Sequence, residues 1–197
     1  MAKLLYQGHA SFRIVTDGGF VLYVDPYAGE GYGLPADLVL VSHEHFDHNH
    51  VELVKLKKGG KIYRSSDLLS GGRYGTVVLG DVKVEATPAC NKNHPVDRCV
   101  GFLITLDHRR IYAAGDTSKT EYMADRLKNE TIDYALLPTD GVYNMDVEGA
   151  SECAKIIGAK HSIPIHMKVG ALFDEETAEA FRADGKIILK PGTEITL

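Results

Sequence analysis

Short apolar runs separated by turn residues indicate that the first half of the chain folds mostly into β-strands. Residues 11–16 and 20–24 form two such runs, and the Asp-Gly-Gly sequence between them predicts a hairpin. Residues 37–41, with the sequence DLVLV, predict a strand that is buried on both faces. Residues 50–58 predict a short helix that ends at Gly59 and Gly60. Further strands are predicted at 61–64, 75–79, 82–87, 100–106 and 109–113.

The second half of the chain alternates between helical and strand patterns. Helices are predicted near 120–128, 147–157 and 175–183, and strands at 133–137, at 162–165 and from 186 onward. Asp146 and Asp174 are suitable N-cap residues for the last two helices. Because no linker or low-complexity stretch interrupts the pattern, we predict a single mixed α/β domain over residues 1–197, with helices that cover sheet faces.

Composition and charge exclude several classes of protein. The chain has 197 residues, 44% hydrophobic and 25% charged, which is typical of a globular protein and not of a disordered one. The net charge of −5 argues against a nucleic-acid partner. No apolar run reaches the roughly 20 residues of a membrane helix. The N-terminus lacks a secretory pattern and the three cysteines show no C-x-x-C spacing, so we expect a cytoplasmic location and no membrane partner.

The segment His43-Glu44-His45-Phe46-Asp47-His48 directly follows the predicted strand at 37–41, where loop residues emerge at a sheet edge. In an extended loop, the rings of His43 and His45 point the same way because they are two residues apart. Three imidazoles and a carboxylate are suitable ligands for a divalent metal such as zinc. Four ligands this close together cannot surround one ion without strain, so the spacing suggests two metals.

Other strand ends supply further candidate ligands. Asp116 follows one apolar run, and its two carboxylate oxygens suit a bridge between two ions. His166 follows another run, and His94 lies in the polar loop after residues 82–87. His9, next to a glycine between two N-terminal strands, is a candidate to support the ligands from behind. The remaining histidines lack such placement and are interpreted as structural or surface residues: His50, His108 and His161.

These residues resemble the metallo-β-lactamase superfamily, whose hallmark is H-x-H-x-D-H. Within it, the chain is most similar to the small stand-alone metal-dependent hydrolases that include ascorbate-6-phosphate lactonase. The similarity covers nearly the whole chain. Besides the cluster at 43–48, the motifs that occur in family order are Gly-His-Ala at 8–10, Val-Asp-Pro at 24–26, Thr-Pro-Ala at 87–89 with His94, Ala-Gly-Asp-Thr at 114–117, Leu-Pro at 137–138 with Met-Asp at 145–146, and Ile-Pro-Ile-His at 163–166.

The resemblance implies a four-layer αβ/βα sandwich of two mixed β-sheets flanked by helices, with the metals at one edge. The ligands implied for the first metal are His43, His45 and His94. Those implied for the second are Asp47, His48 and His166, with Asp116 between the ions. Asp25 is implied as a residue behind the ligands that orients the cluster loop.

The same resemblance limits the substrate. Asp116 stands where the familiar zinc β-lactamases have cysteine, which argues against β-lactamase activity. No helical domain of the glyoxalase II type follows His166, and no inserted domain or basic arm of the RNA-processing nucleases is present. The chain is also shorter than the ascorbate-phosphate lactonases, so their substrate does not carry over.

We therefore predict a metal-dependent hydrolase with a binuclear site. Two divalent ions, Zn²⁺ first with Mn²⁺ or Fe as alternatives, activate a hydroxide that attacks an ester, lactone, thioester or phosphoester of a small, anionic metabolite. Asp47 is the candidate to hold and pass on the proton of the nucleophile. Lys168 and Tyr143 are candidate substrate-binding residues, for an anionic group and at the pocket rim respectively.

Three other functions remain open at this stage. A phosphodiesterase or nuclease acting on nucleic acid would use the same metals, although the acidic balance opposes it. A di-iron redox protein would use the same ligands, although it normally needs a flavin partner domain. A metal-binding module without catalysis would hold metal and show no turnover.

Overall fold

The computed structural model describes residues 1–197 and contains fourteen β-strands. In chain order, the strands are β1 (Lys3–Gly8), β2 (Ser11–Val15), β3 (Val21–Val24), β4 (Ala36–Val41), β5 (Leu56–Arg64), β6 (Leu69–Ser70), β7 (Arg73–Tyr74), β8 (Thr76–Leu79), β9 (Val82–Pro88), β10 (Val100–Leu106), β11 (Arg109–Ala113), β12 (Tyr134–Pro138), β13 (His161–Ile165) and β14 (Glu194–Thr196). The α-helices are α1 (Ser65–Leu68), α2 (Glu121–Asp125), α3 (Val147–Ile157) and α4 (Glu175–Ala180). Two 3₁₀ turns lie at Val51–Leu53 and Leu127–Asn129.

The strands form two six-stranded mixed sheets and one small hairpin, β6–β7. The first sheet has the order β14-β1-β2-β3-β4-β5 and the second β13-β12-β11-β10-β9-β8. In each sheet the strands nearest one end pair in parallel, β3–β4–β5 in the first and β11–β12–β13 in the second. The other neighbouring pairs are antiparallel.

The two sheets bury one shared core between them. It contains 27 buried residues, among them Phe12 and Leu40 from the first sheet and Phe102 and Leu136 from the second. Because side chains alternate across a strand, the neighbours of Leu136 point to the opposite face of the second sheet. The shared core is consistent with the single domain predicted over residues 1–197, which stays a prediction.

Helices cover the outer face of the second sheet, while the first sheet has a thinner cover. On the second sheet, Ala135 and Leu137 of β12 pack with Ala150, Cys153 and other residues of α3 in a cluster of 15 buried residues. On the first sheet, a cluster of only five buried residues includes Val39 of β4 and Val54, just after a 3₁₀ turn. None of the helices has the length and apolar character that crossing a bilayer requires.

The structure contains most of the predicted elements, including α3 with its N-cap, since the Asp146 carboxylate accepts a hydrogen bond from the Gly149 N–H. The last helix is shorter than predicted, and the helix near 120–128 is split between α2 and a 3₁₀ turn.

The predicted helix at 50–58 is wrong. Its start is only a 3₁₀ turn, and the strand β5 begins at Leu56. The two glycines that suggested a helix end lie inside β5, where its register against β4 shifts after Ala36. Gly59 has φ 86°, and a Cβ at Gly60 would lie 2.6 Å from the Ala36 carbonyl oxygen. The glycines thus allow a bulge in a strand.

Candidate metal centre

Loops that follow the ends of five strands converge on one edge of the sandwich. β4 leads into residues 42–48 and β9 into the loop that carries His94; Asp116, Asp140 and His166 follow β11, β12 and β13. Since β11, β12 and β13 run in parallel, their carboxyl ends lie on the same edge.

The backbone at this edge takes unusual conformations. His9, Asp25 and His166 have φ of 57°, 45° and 45°, in the left-handed region that non-glycine residues rarely adopt. Gly115, just before Asp116, has φ 65°, and a Cβ there would lie 2.7 Å from the Val100 carbonyl oxygen. A left-handed conformation at a non-glycine residue costs about 1–3 kcal/mol of folding free energy, so the surrounding structure must stabilise it.

One group of candidate ligands contains His43, His45 and His94, whose ligand atoms all lie within 4.8 Å of one another. The Nε2 atom of His94 is 3.1 Å from Nδ1 of His45. His43 and His94 are buried, whereas His45 is exposed. This group is therefore open to solvent on the His45 side.

A second group contains Asp47, His48 and His166, together with His9. The Nε2 atom of His166 lies 3.8 Å from Oδ2 of Asp47, and Nε2 of His48 lies 4.0 Å from Oδ1. His9 Nε2 lies 3.1 Å from Oδ2 of Asp47, and His9 Nδ1 lies 3.0 Å from the carbonyl oxygen of Ala171. His9 thus restrains the carboxylate of Asp47.

Asp116 lies between the two groups. Its Oδ2 atom is 3.3 Å from Nε2 of His94 in the first group and 3.4 Å from Nε2 of His166 in the second. Its Oδ1 atom is 3.4 Å from Nε2 of His48. A carboxylate in this place can contact a cation in either group.

The donor atoms fit divalent cations. Five buried polar atoms at this edge have no hydrogen-bond partner: Nε2 of His43 and His48, both ring nitrogens of His166, and Oδ1 of Asp116. A buried polar atom without a partner costs about 1–3 kcal/mol, which a bound cation would offset. Imidazole nitrogen and carboxylate oxygen are suitable ligands for zinc and for neighbouring transition metals.

Polar groups on the far side of the candidate ligands face Nδ1 of four histidines, three through hydrogen bonds and His166 through an ion-pair contact, so that each Nε2 points toward the centre of the site. In four of the histidines a polar oxygen lies near Nδ1: Ser42 Oγ at 3.0 Å from His43, Asp25 Oδ2 at 3.0 Å from His48, Asn91 Oδ1 at 2.8 Å from His94 and Asp140 Oδ2 at 3.0 Å from His166. Such partners fix the tautomer of a metal-binding histidine and make it a stronger ligand.

Burial and neighbouring charges shift the pKa values of the site. Burial, and then the neighbouring histidines, hold the pKa of His43 far below its usual range, so this ring is neutral and able to bind a cation. Burial lowers the pKa of His48, but the carboxylates of Asp116 and Asp25 outweigh it and raise the pKa to about 9. Burial raises the pKa of Asp47, but His9 and the nearby histidines outweigh it and hold the pKa below the usual range.

The structure thus brings seven of the predicted ligands together, with Asp25 and His9 directly behind them. Whether these nine residues act as predicted stays a prediction. The two candidate substrate-binding residues lie at the surface: Lys168 donates a hydrogen bond to Asp174 Oδ2 at 3.0 Å, and Tyr143 is 45% exposed. Their roles also stay predictions.

The sequence interpretation missed three residues that lie near Nδ1 of the histidines: Ser42, Asn91 and Asp140. Asp140 follows the end of β12, as Asp116 and His166 follow β11 and β13. The rule that identified those two ligands would also have found it. Ser42 and Asn91 carry no comparable signal, because serine and asparagine are common in any turn.

Stacked mixed sheets with a histidine- and aspartate-rich edge define a metal-dependent hydrolase of the metallo-β-lactamase fold. The chain belongs to the beta-lactamase superfamily, because the model for the beta-lactamase superfamily domain matches residues 3–166.

Similar proteins agree with this assignment. A UPF0173 metal-dependent hydrolase from Thermococcus onnurineus is 30% identical over 229 aligned positions, which cover 100% of both chains. One from Methanoregula boonei is 35% identical over 83% of this chain and 81% of its own. The solved structure of Igni18, a metallo hydrolase from Ignicoccus hospitalis, has the same fold, with a TM-score of 0.74 and 24% identity over 98% of this chain and 97% of its own.

Proposed function

We propose that the two groups of ligands hold two divalent cations, with Asp116 between them, and that the enzyme hydrolyses an ester, lactone, thioester or phosphoester of a small anionic metabolite. The observation that carries the proposal is the set of unpartnered buried Nε2 and carboxylate atoms at this edge. They belong to three overlapping groups of possible ligands, the two described above and a third, made of His43, His48 and Asp116, that joins them. Zn²⁺ is the first candidate, with Mn²⁺ or iron next.

Bound cations would supply a water that is deprotonated near neutral pH and would polarise the substrate. The chain's own residues would do the rest. Asp47 is only partly exposed, with 21% of its side chain accessible, and His9 holds one of its oxygens. Its low pKa keeps the carboxylate ionised but weakly basic, so its other oxygen would hold the proton of the attacking group through a hydrogen bond and release it readily to the leaving group.

A cleft of about 470 Å³ beside the first group supports an anionic substrate. His43, His45 and Arg98 line it, and the exposed Arg98 guanidinium has no ion pair in the structure. Glu44 also lines the cleft, but Arg64 neutralises it at 2.7 Å. The uncompensated charge in the cleft is therefore positive, and guanidinium binds carboxylate or phosphate in a bidentate way.

Arg98 suits this role better than Lys168. The ammonium of Lys168 lies 3.0 Å from the carboxylate of Asp174, so an anionic substrate would have to compete with an existing ion pair. Loss of a charge-assisted pair costs about 1.5–3 kcal/mol, or about 10- to 100-fold in affinity. We expect Arg98→Gln to raise KM for anionic substrates at least tenfold. The same change at Lys168 tests the assignment made from sequence.

The test combines metal content with turnover. Elemental mass spectrometry on protein purified without a tag or chelator should give about two equivalents of metal per chain. His45→Ala and Asp116→Ala should lower metal content and turnover together, on a panel of esters, lactones, thioesters, phosphoesters and single-stranded RNA. His108→Asn, at an exposed hairpin turn with φ 60°, is the matched control. Full metal content and full activity in both ligand variants would refute the proposal.

A further inference from the structure

We propose that Asn91 and Asn144 are positioning residues which, with Asp140, form a bridge of three hydrogen bonds and one ion-pair contact between His94 of the first ligand group and His166 of the second. The bridge couples the two cation positions, so that a change in its middle weakens both. This inference rests on the proposed function, since it needs two cations to couple.

The contacts of the bridge form an unbroken chain. His94 Nδ1 lies 2.8 Å from Oδ1 of Asn91, and Nδ2 of Asn91 donates to Oδ1 of Asn144 at 3.0 Å. Nδ2 of Asn144 donates to Oδ2 of Asp140 at 2.6 Å, and Nδ1 of His166 lies 3.0 Å from that same oxygen. Four contacts therefore span from one ligand group to the other.

The direction of each hydrogen bond follows from the backbone. Oδ1 of Asn91 accepts hydrogen bonds from the backbone N–H groups of Asn93 and His94, which identifies it as the oxygen of the amide. His94 must then donate through Nδ1, and this leaves its Nε2 unprotonated and free for a cation. Oδ2 of Asp140 lies 3.0 Å from Nδ1 of His166 as an ion-pair contact, and because a carboxylate only accepts, this contact favours the His166 proton on Nδ1 and leaves Nε2 for a cation.

All the donors along the bridge point toward Asp140, where the negative charge lies. Hydrogen bonds in such a directed chain polarise one another, and this makes both imidazoles stronger ligands. Asp140 is itself fixed, because its Oδ1 atom accepts from the backbone N–H groups of Val142 and Tyr143 at 2.7 Å each. The bridge thus ends on a carboxylate that the turn before α3 holds in place.

Asn144 offers the sharpest test because it contacts neither histidine directly. Loss of a residue that supports a ligand from behind typically costs 10- to 100-fold in metal affinity. We expect Asn144→Ala to lower both stepwise affinities for Zn²⁺ at least tenfold. A role limited to folding would lower the melting temperature and leave both affinities of the folded protein unchanged.

The experiment is a Zn²⁺ titration of the metal-free protein against a chromophoric chelator, with visible absorption of the Co²⁺ form as a second readout. Asn93→Ala is the matched control: it lies on the same loop, it is exposed, and only its backbone contacts Asn91. Asn144→Asp has the same shape but cannot donate to Asp140, so it should also weaken both positions and alter the Co²⁺ spectrum. It serves as the second variant in case the alanine variant does not fold.

The outcomes separate the two proposals. If the wild type binds two cations and the Asn144 variants match it within twofold at both positions, the bridge is wrong and the proposed function stands. If only one affinity falls, the coupling is wrong. If the wild type binds less than one equivalent after reconstitution, both proposals fail. When Asn91→Ala is added to Asn144→Ala, the loss should be less than the product of the two single losses, because both changes break the same chain.

Discussion

Replacing Asp25 with asparagine would reverse the hydrogen bonding behind two ligands at once. Asp25 is 2% exposed and accepts from the Ser42 backbone N–H and from Ser42 Oγ, each at 2.7 Å, and its Oδ2 lies 3.0 Å from His48 Nδ1. An asparagine keeps the shape and tolerates the backbone, since Asp25 has φ 45°. Its amide can place one oxygen toward the Ser42 N–H but must place an NH₂ group where Oδ2 was.

The consequence is a change of tautomer in both rings. His48 can no longer donate through Nδ1, so its proton moves to Nε2, the atom that would bind a cation. Ser42 Oγ would accept from the new NH₂ group and donate to Nδ1 of His43, which also moves that proton to Nε2. Since supporting residues are worth 10- to 100-fold in metal affinity, each cation should lose about 1.4–2.7 kcal/mol of binding free energy.

The assay is chelator competition for Zn²⁺, together with ¹⁵N NMR of the imidazole nitrogens in the metal-free protein at about pH 10, where His48, with its pKa raised to about 9, is neutral. Asp133→Asn is the matched control, because Asp133 is also buried but lies before β12, away from the ligand groups. A folded Asp25→Asn variant that binds both cations with wild-type affinity, or that keeps the Nδ1–H tautomer in both rings, would refute the reasoning.

Three further predictions concern the scaffold. Asp146→Ala removes the N-cap of α3 and should lower the free energy of unfolding by about 0.5–2 kcal/mol in urea titrations; an unchanged midpoint would contradict the cap. At pH 8 a thiol reagent should label the partly exposed Cys90 first, since burial raises the pKa of Cys99 to about 12 and of Cys153 to about 11. The reagent should label all three cysteines only after the protein is unfolded. Burial raises the pKa of Asp133, but its hydrogen bonds to a lysine and a backbone N–H outweigh this and lower the pKa. The ionised Asp133 carboxylate therefore stabilises the fold above about pH 4, and this stabilisation is lost as the pH falls through the lowered pKa. Between pH 5 and pH 2, the free energy of unfolding should therefore fall less in the Asp133→Asn variant than in the wild type.

The elements that the sequence predicted well are those whose signal is local. α3 has a helical pattern with Asp146 at its start and Gly158, in the left-handed conformation, after its end. The hairpin of β2 and β3 has turn residues between two apolar runs. In contrast, a pair of glycines such as Gly59 and Gly60 is equally typical of the end of a helix and of a bulge in a strand. The neighbouring strand β4 decides between the two, and no pattern within residues 50–64 reports it.

For the site, the sequence by itself determined the types of the candidate ligands and their positions in the chain. The spacing in residues 43–48 and the placement of Asp116 and His166 after apolar runs are local properties, because a strand end and the polar residue after it are neighbours in the chain. The tertiary structure alone decided which side chains share a hydrogen bond. The bridge joins Asn91 to Asn144 across 53 positions, and Asp25 supports His48 across 23. Asp25 and His48 follow the neighbouring strands β3 and β4 of the first sheet, and Asn91 and Asn144 follow β9 and β12 of the second. These contacts therefore depend on the order in which the strands pair within each sheet, which no local pattern in the sequence reports.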